Sequence, residues 1–462
     1  MAMGKRERQL QQAMWVETQR LARGPSHPFY SRLSEILGKH GFDDFAEAAC
    51  QPFYAERMGR PSLPPGVYFR LLLIGYFEGI ESERGIAWRV ADSIGLRDFL
   101  GYPLSDPTPD HSTISRTRRL IDLTTHQEVF TWVLAVLAKE KLVRGETLGI
   151  DATTLEANAA LRSIVRRDSG ESYEEFLTRL AQASGIATPT REDLARLDRD
   201  RPGKGSNQDW EHPHDPDARI TKMKDGRTHL AHKAEHAVDL ETGAIVAVTV
   251  QPADRGDTAS LEETMQEAMD VLADVLEDAE AAEQLDGELL GEIVGDKGYH
   301  SNAVLTDYEA LGIRSYISEP KRRRRRWRGK DKERHATYAN RRRVKGERGK
   351  RLLRRRGEII ERSFAHCYET GAMRRAHLRG RENITKRVLV HTAAFNLGLV
   401  MRKCLGRGTP RGLQGAAGRV SAALHDGLAL IAALRRALLD RRPHSVLSSL
   451  IRWLRSPIWA AA

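Results

Sequence analysis

Residues 147–153, with the sequence T-L-G-I-D-A-T, mark the point at which the chain changes from one structural pattern to another. The run is short and rich in β-branched and apolar residues, which predicts a strand that ends at Asp151. Residues 1–125, before it, have the apolar spacing of helices with short breaks. After it, strand-like and helix-like segments alternate. The sequence therefore predicts a mixed α/β region preceded by an all-α region.

Further segments extend the predicted sheet and its helices. Residues 229–238 and 244–250 read as two strands of a hairpin, because the loop between them contains glycine. Residues 292–295 predict a third strand, which ends at Asp296, and residues 313–317 predict another short one. Helices are predicted at 261–285, at 303–311, from about 357 and at 382–402.

Composition divides the chain into three parts. We expect a helical domain at 1–125, an α/β domain at 145–402 and a helical extension at 403–462. Within the α/β domain, residues 155–226 are rich in Arg, Asp and Pro and read as an insertion. Residues 321–356 form a separate basic segment.

Several protein classes are disfavoured by composition. The chain has 462 residues, 40% of them hydrophobic, which is enough for sizeable cores. Its three cysteines lie far apart and form neither a zinc knuckle nor a disulfide framework, so a reducing compartment is expected. The first eight residues show no signal peptide, and we find no run of about 18 apolar residues. The sequence predicts a cytoplasmic protein without a membrane segment.

The basic segment dominates the charge of the chain. It holds twenty Lys or Arg against three acids, a net +17, whereas the whole chain carries +11 and the remainder therefore −6. A polyphosphate such as nucleic acid is the first partner to consider for so concentrated a cation. Like-charge repulsion predicts a disordered or flexible loop without that partner, and a solubilising or targeting tail is the alternative. The candidate DNA contacts here are Arg322, Arg324, Trp327, Arg341, Arg355 and Arg356, with the tryptophan stacking on a base.

Other basic residues are candidates for DNA contact. A short helix from Ser82, a Pro-rich break at 107–110 and a capped helix at 111–121 resemble a helix-turn-helix. An ordinary helical bundle with a solvated basic face is the alternative. Lys233 lies on a predicted strand beside Asp151, and two arginines follow the last helix of the basic region. These further candidates are Arg116, Arg118, Arg119, Lys233, Arg374 and Arg375.

Three acidic residues are candidate metal ligands. Asp151 and Asp296 end predicted strands, and Glu361 lies on a helix. Cleavage of a phosphodiester by two metals needs carboxylates gathered around a pair of hard cations. Each acid also has a structural interpretation: the two aspartates could cap turns, and Glu361 could be solvated or paired with an arginine. Glu358 is a rival for the third position.

Five motifs make the chain similar to a known family. They are I-D-A-T at 150–153, G-D-K-G-Y at 295–299, E-I-I-E-R-S-F at 358–364, R-G-R-E-N-I-T-K-R at 379–387 and A-F-N-L at 394–397. Together they resemble the DDE transposases of bacterial insertion sequences over roughly residues 30–405. The resemblance implies a ribonuclease-H-like mixed sheet with flanking helices. It also implies that Asp151, Asp296 and Glu361 bind two Mg²⁺ ions, for which Mn²⁺ can substitute.

The same resemblance implies a function. The protein would bind the ends of a mobile element, cleave there, and join the freed 3′-hydroxyl to target DNA. Its partners would be the double-stranded DNA of the element's ends, the target DNA and at least one further copy of the chain. It would act in the bacterial cytoplasm, at the nucleoid. The alternatives are an inactive nucleic-acid-binding protein on this scaffold and a nuclease that does not join. The chain departs from a Tyr-Arg-Glu-Lys signature found in many relatives, since Arg354, Gly357 and Tyr368 stand at the other three positions. Arg355 and Arg356 are the neighbouring candidates for the phosphate contact.

Overall fold

The computed structural model describes residues 27–55, 62–201, 205–223, 226–285, 289–321 and 325–413. Arg322, Arg324 and nearly all of the predicted C-terminal extension lie outside these residues. The described chain begins with helices, as expected. Capping side chains fix several of their starts: Ser82, Asp110 and Asp122 each accept a hydrogen bond from a backbone N–H of the first turn. These helices are α1 (Pro28–Lys39), α2 (Phe42–Cys50), α3 (Pro65–Glu78), α4 (Glu83–Ala91), α5 (Ile94–Leu100), α6 (His111–Leu120) and α7 (Leu123–Lys139).

The remainder of the described chain mixes strands and helices. The strands are β1 (Thr147–Glu156), β2 (Val165–Arg166), β3 (Trp210–Glu211), β4 (Arg219–Lys222), β5 (Thr228–Asp239), β6 (Ile245–Pro252), β7 (Glu292–Gly295) and β8 (Arg314–Ile317). The helices are α8 (Tyr173–Ala183), α9 (Arg191–Asp200), α10 (Asp257–Glu277), α11 (Ala279–Ala282), α12 (Asn302–Ala310), α13 (Asp331–Lys345), α14 (Glu347–Phe364) and α15 (Arg381–Leu405).

The main sheet is mixed, as the sequence predicted. Its order is β4-β5-β1-β7-β8, and β6 also pairs with β5. The pairs that involve β5 are antiparallel, whereas β1–β7 and β7–β8 are parallel. The crossover from β6 to β7 contains α10, and that from β7 to β8 contains α12. Helices α10, α14 and α15 pack on the sheet, so the prediction of a ribonuclease-H-like sheet with flanking helices is confirmed.

The N-terminal helices and the sheet share one apolar core. It extends from Phe29 through α3 and α7 to the inner face of the sheet and the long helix α15. Within it, the buried Asn396 amide accepts a hydrogen bond from Ile245 N at 2.9 Å and donates one to Ile245 O at 2.8 Å. The segment Arg381–Leu413 is long and apolar enough to cross a membrane, but 83% of its most apolar window is buried in the protein. Because most of this segment is buried against other parts of the protein, we interpret it as a helix of the core.

The basic segment differs from expectation. Residues 331–356 were expected to be flexible, yet they form α13 and most of α14. Polar contacts hold α13 to β8: the Asn340 amide bonds both backbone groups of Ile317, and Arg343 donates to Ser315 O. Because the repulsion is offset by such contacts and by ion pairs to neighbouring acids, this part of the segment is ordered.

The predicted insertion has a small core of its own. Strands β2 and β3 form a two-stranded sheet, and Trp210 packs there with Tyr173 and Phe176. Its boundaries are narrower than predicted, because β1 runs on to Glu156 and β4 already belongs to the main sheet.

Candidate active site

Two of the three predicted metal ligands lie near each other at one end of two inner strands, β1 and β7, a place that we call the carboxylate edge. Strands β1 and β7 are parallel neighbours, and Gly149 pairs with Val294 in their register. Asp151 and Asp296 each stand two positions further along the sequence, so the two strands carry both aspartates toward the same end of the sheet. Asp296 directly follows β7, as predicted, whereas Asp151 lies within β1, because that strand does not end at Asp151 but continues to Glu156.

The surroundings of Asp151 favour a cation. One carboxylate oxygen accepts from Ala152 N at 2.9 Å, and the other accepts from the Arg356 guanidinium at 3.0 Å. Burial raises the pKa of the Asp151 carboxyl, whereas Arg356 lowers it. The nearby carboxylates of Asp296 and Asp257 raise that pKa further. An added positive charge would therefore stabilise the ionised form.

A tight turn fixes Asp296. Its carboxylate accepts from Gly298 N at 2.7 Å, so the side chain caps the G-D-K-G-Y turn in addition to any other role. The turn is anchored below by Tyr299, whose hydroxyl donates to the buried Glu235 at 2.8 Å. Asp296 remains half-buried and borders the same edge as Asp151.

Helix α14 carries the third candidate across this edge. Arg356 on this helix bonds Asp151, and Ser363 bonds His236, which is the cross-strand partner of Asp151. Glu361 lies between these two contacts along the helix. It is exposed and has no hydrogen-bond or ion-pair partner within the described ranges. Its rival Glu358 is paired with Arg362 at 2.7 Å.

The donor set fits a hard divalent cation, although the acids do not enclose one. Among the described residues, no three Asp, Glu, His or Cys side chains stand at the spacing of a metal site. Carboxylate oxygens are the ligands that Mg²⁺ prefers, and here a guanidinium holds the position of a counter-charge beside Asp151. The Nε of Arg356 is buried without a hydrogen-bond partner in the same region. Because this nitrogen has no hydrogen-bond partner among the described residues, the Arg356 side chain loses few hydrogen bonds when it leaves Asp151.

The Lys233 side chain is buried and bonds to neighbouring side chains of the protein. It is 5% exposed, and its ammonium donates to Asp257 at 2.6 Å and to Ser260 at 2.8 Å. Its predicted contact with DNA does not fit that burial. Asp257, the first residue of α10, was missed by the sequence analysis. No strand ends directly before it, since β6 ends at Pro252 and Asp257 opens α10.

The predicted DNA contacts on α6 separate into two groups. Arg116 and Arg119 are exposed, and among the described residues they bond only to their own helix. Arg118 is 6% exposed and donates to Glu83 at 2.8 Å and to Asn383. Its guanidinium joins α6 to α4 and α15, so a direct contact with DNA does not fit its position.

The remaining basic candidates surround the carboxylate edge to different degrees. Arg341 is paired with Glu319 at 2.9 Å, and Arg355 donates to the backbone oxygens of the loop after β5. Arg374 donates to Thr153 and Thr154 at 3.0 Å, which ties the segment after α14 to β1. The other two are more open: Arg375 is exposed, and the half-buried Trp327 lies under the Arg325 guanidinium at 5.5 Å.

Two regions of the chain match models of known protein families. Residues 19–120 match the model of a transposase domain of the DUF772 type, and residues 207–397 match that of the transposase DDE domain. Asp296 and Glu361 fall inside the second match, whereas Asp151 lies between the two. No curated protein and no solved structure matches the chain significantly. With both domain matches and the mixed sheet in place, the chain belongs to the DDE transposases of insertion sequences.

Proposed function

We propose that this protein binds the ends of a mobile DNA element, cleaves the DNA there and joins the freed end to a target duplex. The observation that supports this most is that Asp151 on β1 and Asp296, directly after β7, lie at the same end of two neighbouring parallel strands, beside the helix that carries Glu361. The intact acids favour an active enzyme over a binding protein that has lost its activity.

The three acids would act as ligands of two divalent cations, Mg²⁺ or Mn²⁺. When bound, such cations polarise a phosphodiester and stabilise its leaving oxygen. Asp151, Asp296 and Glu361 would together hold these cations. Arg356 would then leave Asp151 and be free to bind a phosphate, as Arg is well suited to do.

The exposed arginines would bind the DNA backbone around this edge. Arg116 and Arg119 on α6 and Arg375 near β1 are open to solvent. We propose that the N-terminal helices read the element's ends and that the exposed arginines of α14 contact the target. Since two ends must be handled together, we also propose a dimer or larger assembly on DNA, in the bacterial cytoplasm.

The substitution Asp151→Asn tests the proposal. It should abolish cleavage of a plasmid that carries the element with its flanking DNA, because a neutral amide is a poor metal ligand, while binding of the end fragments is retained. Cleavage and joining are scored separately on gels with Mg²⁺ or Mn²⁺. Strand transfer by this variant at the wild-type rate would remove Asp151 from the mechanism. Cleavage without joining by the wild-type protein would instead identify a nuclease.

A further inference from the structure

We infer that Asp257 is a fourth carboxylate of the metal centre, and that it shares a divalent cation with Asp296. The inference rests on the proposed function, because it adds a residue to the same site. It is carried by three features: the position of the Asp257 side chain, the glycine between the two acids and the buried contacts that hold them in place.

Asp257 has one carboxylate oxygen available for a ligand. Its Oδ1 accepts from the Lys233 ammonium at 2.6 Å, whereas its Oδ2 has no hydrogen-bond partner in the described part of the chain. The side chain is 39% exposed, although its lysine partner is only 6% exposed. A purely structural ion pair would not require an open oxygen. Asp257 is thus fixed by one oxygen and accessible at the other.

Gly298 leaves open the space between the two acids. A Cβ atom placed on this glycine would lie 2.2 Å from Asp257 Oδ2 and 3.0 Å from Asp296 Oδ1. Both oxygens therefore lie against the same glycine, where a larger residue would displace them. Two carboxylate oxygens turned toward the same gap repel each other unless a cation lies nearby. Mg²⁺ binds such oxygens at about 2.0–2.1 Å, so one ion can bridge acids held this closely.

A buried network sets the distance between the acids before any ion binds. Glu235 on β5 accepts from Ser260 on α10 at 2.8 Å and from Tyr299, in the turn after Asp296, at 2.8 Å. Lys233, two residues before Glu235, holds Asp257 itself. The turn that carries Asp296 and the helix end that carries Asp257 are therefore fastened to the same strand. Such rigid support is what a metal site requires of the residues behind its ligands.

Two cations stand beside these acids: Lys233 pairs with Asp257 at 2.6 Å, and Arg356 pairs with Asp151 at 3.0 Å.

Direct measurement of Mn²⁺ binding tests the inference without relying on activity. Free Mn²⁺ is followed by electron paramagnetic resonance during titration of the full chain without DNA. Asp257→Asn should weaken Mn²⁺ binding by at least about tenfold. A loss of about 10- to 100-fold is typical when a residue that only orients a metal ligand is replaced. Asp254→Asn is the matched control, since this exposed acid lies three residues earlier and, within the described ranges, pairs only with Arg219 at 3.7 Å. Wild-type affinity in Asp257→Asn would overturn the inference.

Gly298→Ala provides a second test that keeps every carboxylate. The added methyl group would force Asp257 and Asp296 apart, so Mn²⁺ binding should again weaken while the thermal unfolding midpoint stays close to that of Asp254→Asn. Unchanged affinity in this variant would contradict a shared ion. Asp151→Asn separates the two levels of the argument. If it loses Mn²⁺ while Asp257→Asn does not, only the role of Asp257 fails, whereas absence of Mn²⁺ binding by the wild-type protein contradicts the proposed function as well.

Discussion

Glu361 and Glu358 stand one turn apart on the same helix but differ in what they contact. Glu358 is held by Arg362, whereas Glu361 has no partner in the described chain. Glu361→Gln should therefore reduce DNA cleavage by more than about a hundredfold, beyond the ~10–100-fold typical of residues that only support a ligand. Glu358→Gln removes one exposed pair, worth less than about 0.5 kcal/mol, and should leave cleavage near the wild-type rate. The reverse ranking in a plasmid-cleavage assay would make Glu358 the third ligand.

His126 makes the stability of the protein depend on pH. Its Nδ1–H donates to Asp122 O at 2.6 Å and its Nε2 accepts from the Tyr68 hydroxyl at 3.0 Å, so the buried ring is neutral. Burial lowers the pKa of His126 to about 4 from 6.5. Below about pH 6.5 the unfolded chain takes up the proton and the folded chain does not, so stability falls with pH until about pH 4. At pH 5 this histidine alone costs about 2 kcal/mol.

His126→Gln tests that contribution. The variant should be less stable than wild type at pH 7, because a buried hydrogen-bond pair is disturbed. Its loss of stability between pH 7 and pH 5 should nevertheless be about 2 kcal/mol smaller, since one titrating group is gone. Urea unfolding at the two pH values measures the difference. Equal losses in both proteins would show that His126 is not the group that responds.

Residue types and positions were enough to predict part of the site. The neighbouring positions of Asp151 and Asp296 could be expected from the apolar runs in which β1 and β7 lie, although β1 continues past Asp151. Lys233 and Arg118 were misassigned, because basic residues look alike in sequence whether they are solvated or buried against an acid. Asp257 was missed for a different reason. Its proximity to Asp296 depends on a turn and a glycine some forty residues away, which no local pattern reveals.

Helix α14 approaches α13 closely at Gly349, and the position of that contact affects the site. A Cβ on Gly349 would lie 2.1 Å from Arg343 O, a backbone atom that cannot move without the helix. Gly349→Ala should therefore shift α14, destabilise the protein by about 1–3 kcal/mol and weaken cleavage, because the same helix carries Arg356 and Glu361.

The same helix offers its own control for that substitution. A Cβ on Gly357 would meet nothing within 4 Å. Gly357→Ala should stabilise the protein by about 0.5–1 kcal/mol through the helix preference of alanine, with cleavage retained. Thermal unfolding and plasmid cleavage of the two variants give the comparison. Equal effects of both substitutions would mean that the contact with α13 does not set the position of α14.

The basic segment shows where prediction at the level of elements failed. Charge density alone indicated a flexible loop, and the helical apolar spacing before residue 357 was too sparse to oppose that interpretation. The structure supplies what the pattern lacked: Glu292 pairs with Arg348 at 2.7 Å, Glu319 with Arg341, and Asn340 caps the edge strand β8. All these partners lie outside the segment. By contrast, β1, β5, β6, β7 and β8 were predicted within a few residues because their apolar runs are local, whereas the short strands β2, β3 and β4 were not predicted.

At the scale of the whole molecule, charge is distributed unevenly and only part of it is free. The segment 321–356 carries +17 against −6 for the remainder of the chain, but several of its arginines are neutralised by acids of the fold. Counting charges in the sequence therefore overstates the number that DNA can use. Arg351 and Arg354 are different: both are exposed on α14, and neither has an ion-pair partner in the described ranges.

These two arginines make a prediction about DNA binding as a whole. Each phosphate neutralised by a protein cation contributes about 0.9 to the slope of log affinity against log salt concentration. The double substitution Arg351→Gln, Arg354→Gln should lower that slope by up to ~1.8 and weaken binding to unrelated duplexes as much as to the element's ends, because phosphate contacts carry no sequence information. Arg32→Gln on α1 is the control, since that exposed arginine is paired with Glu35 at 2.7 Å. Fluorescence anisotropy of a labelled duplex between 50 and 200 mM salt, a range over which roughly 10³–10⁵ in affinity is lost for 6–10 phosphate contacts, resolves the change. An unchanged slope in the double variant would place the DNA path away from α14, and with it the proposed approach of the target to Glu361.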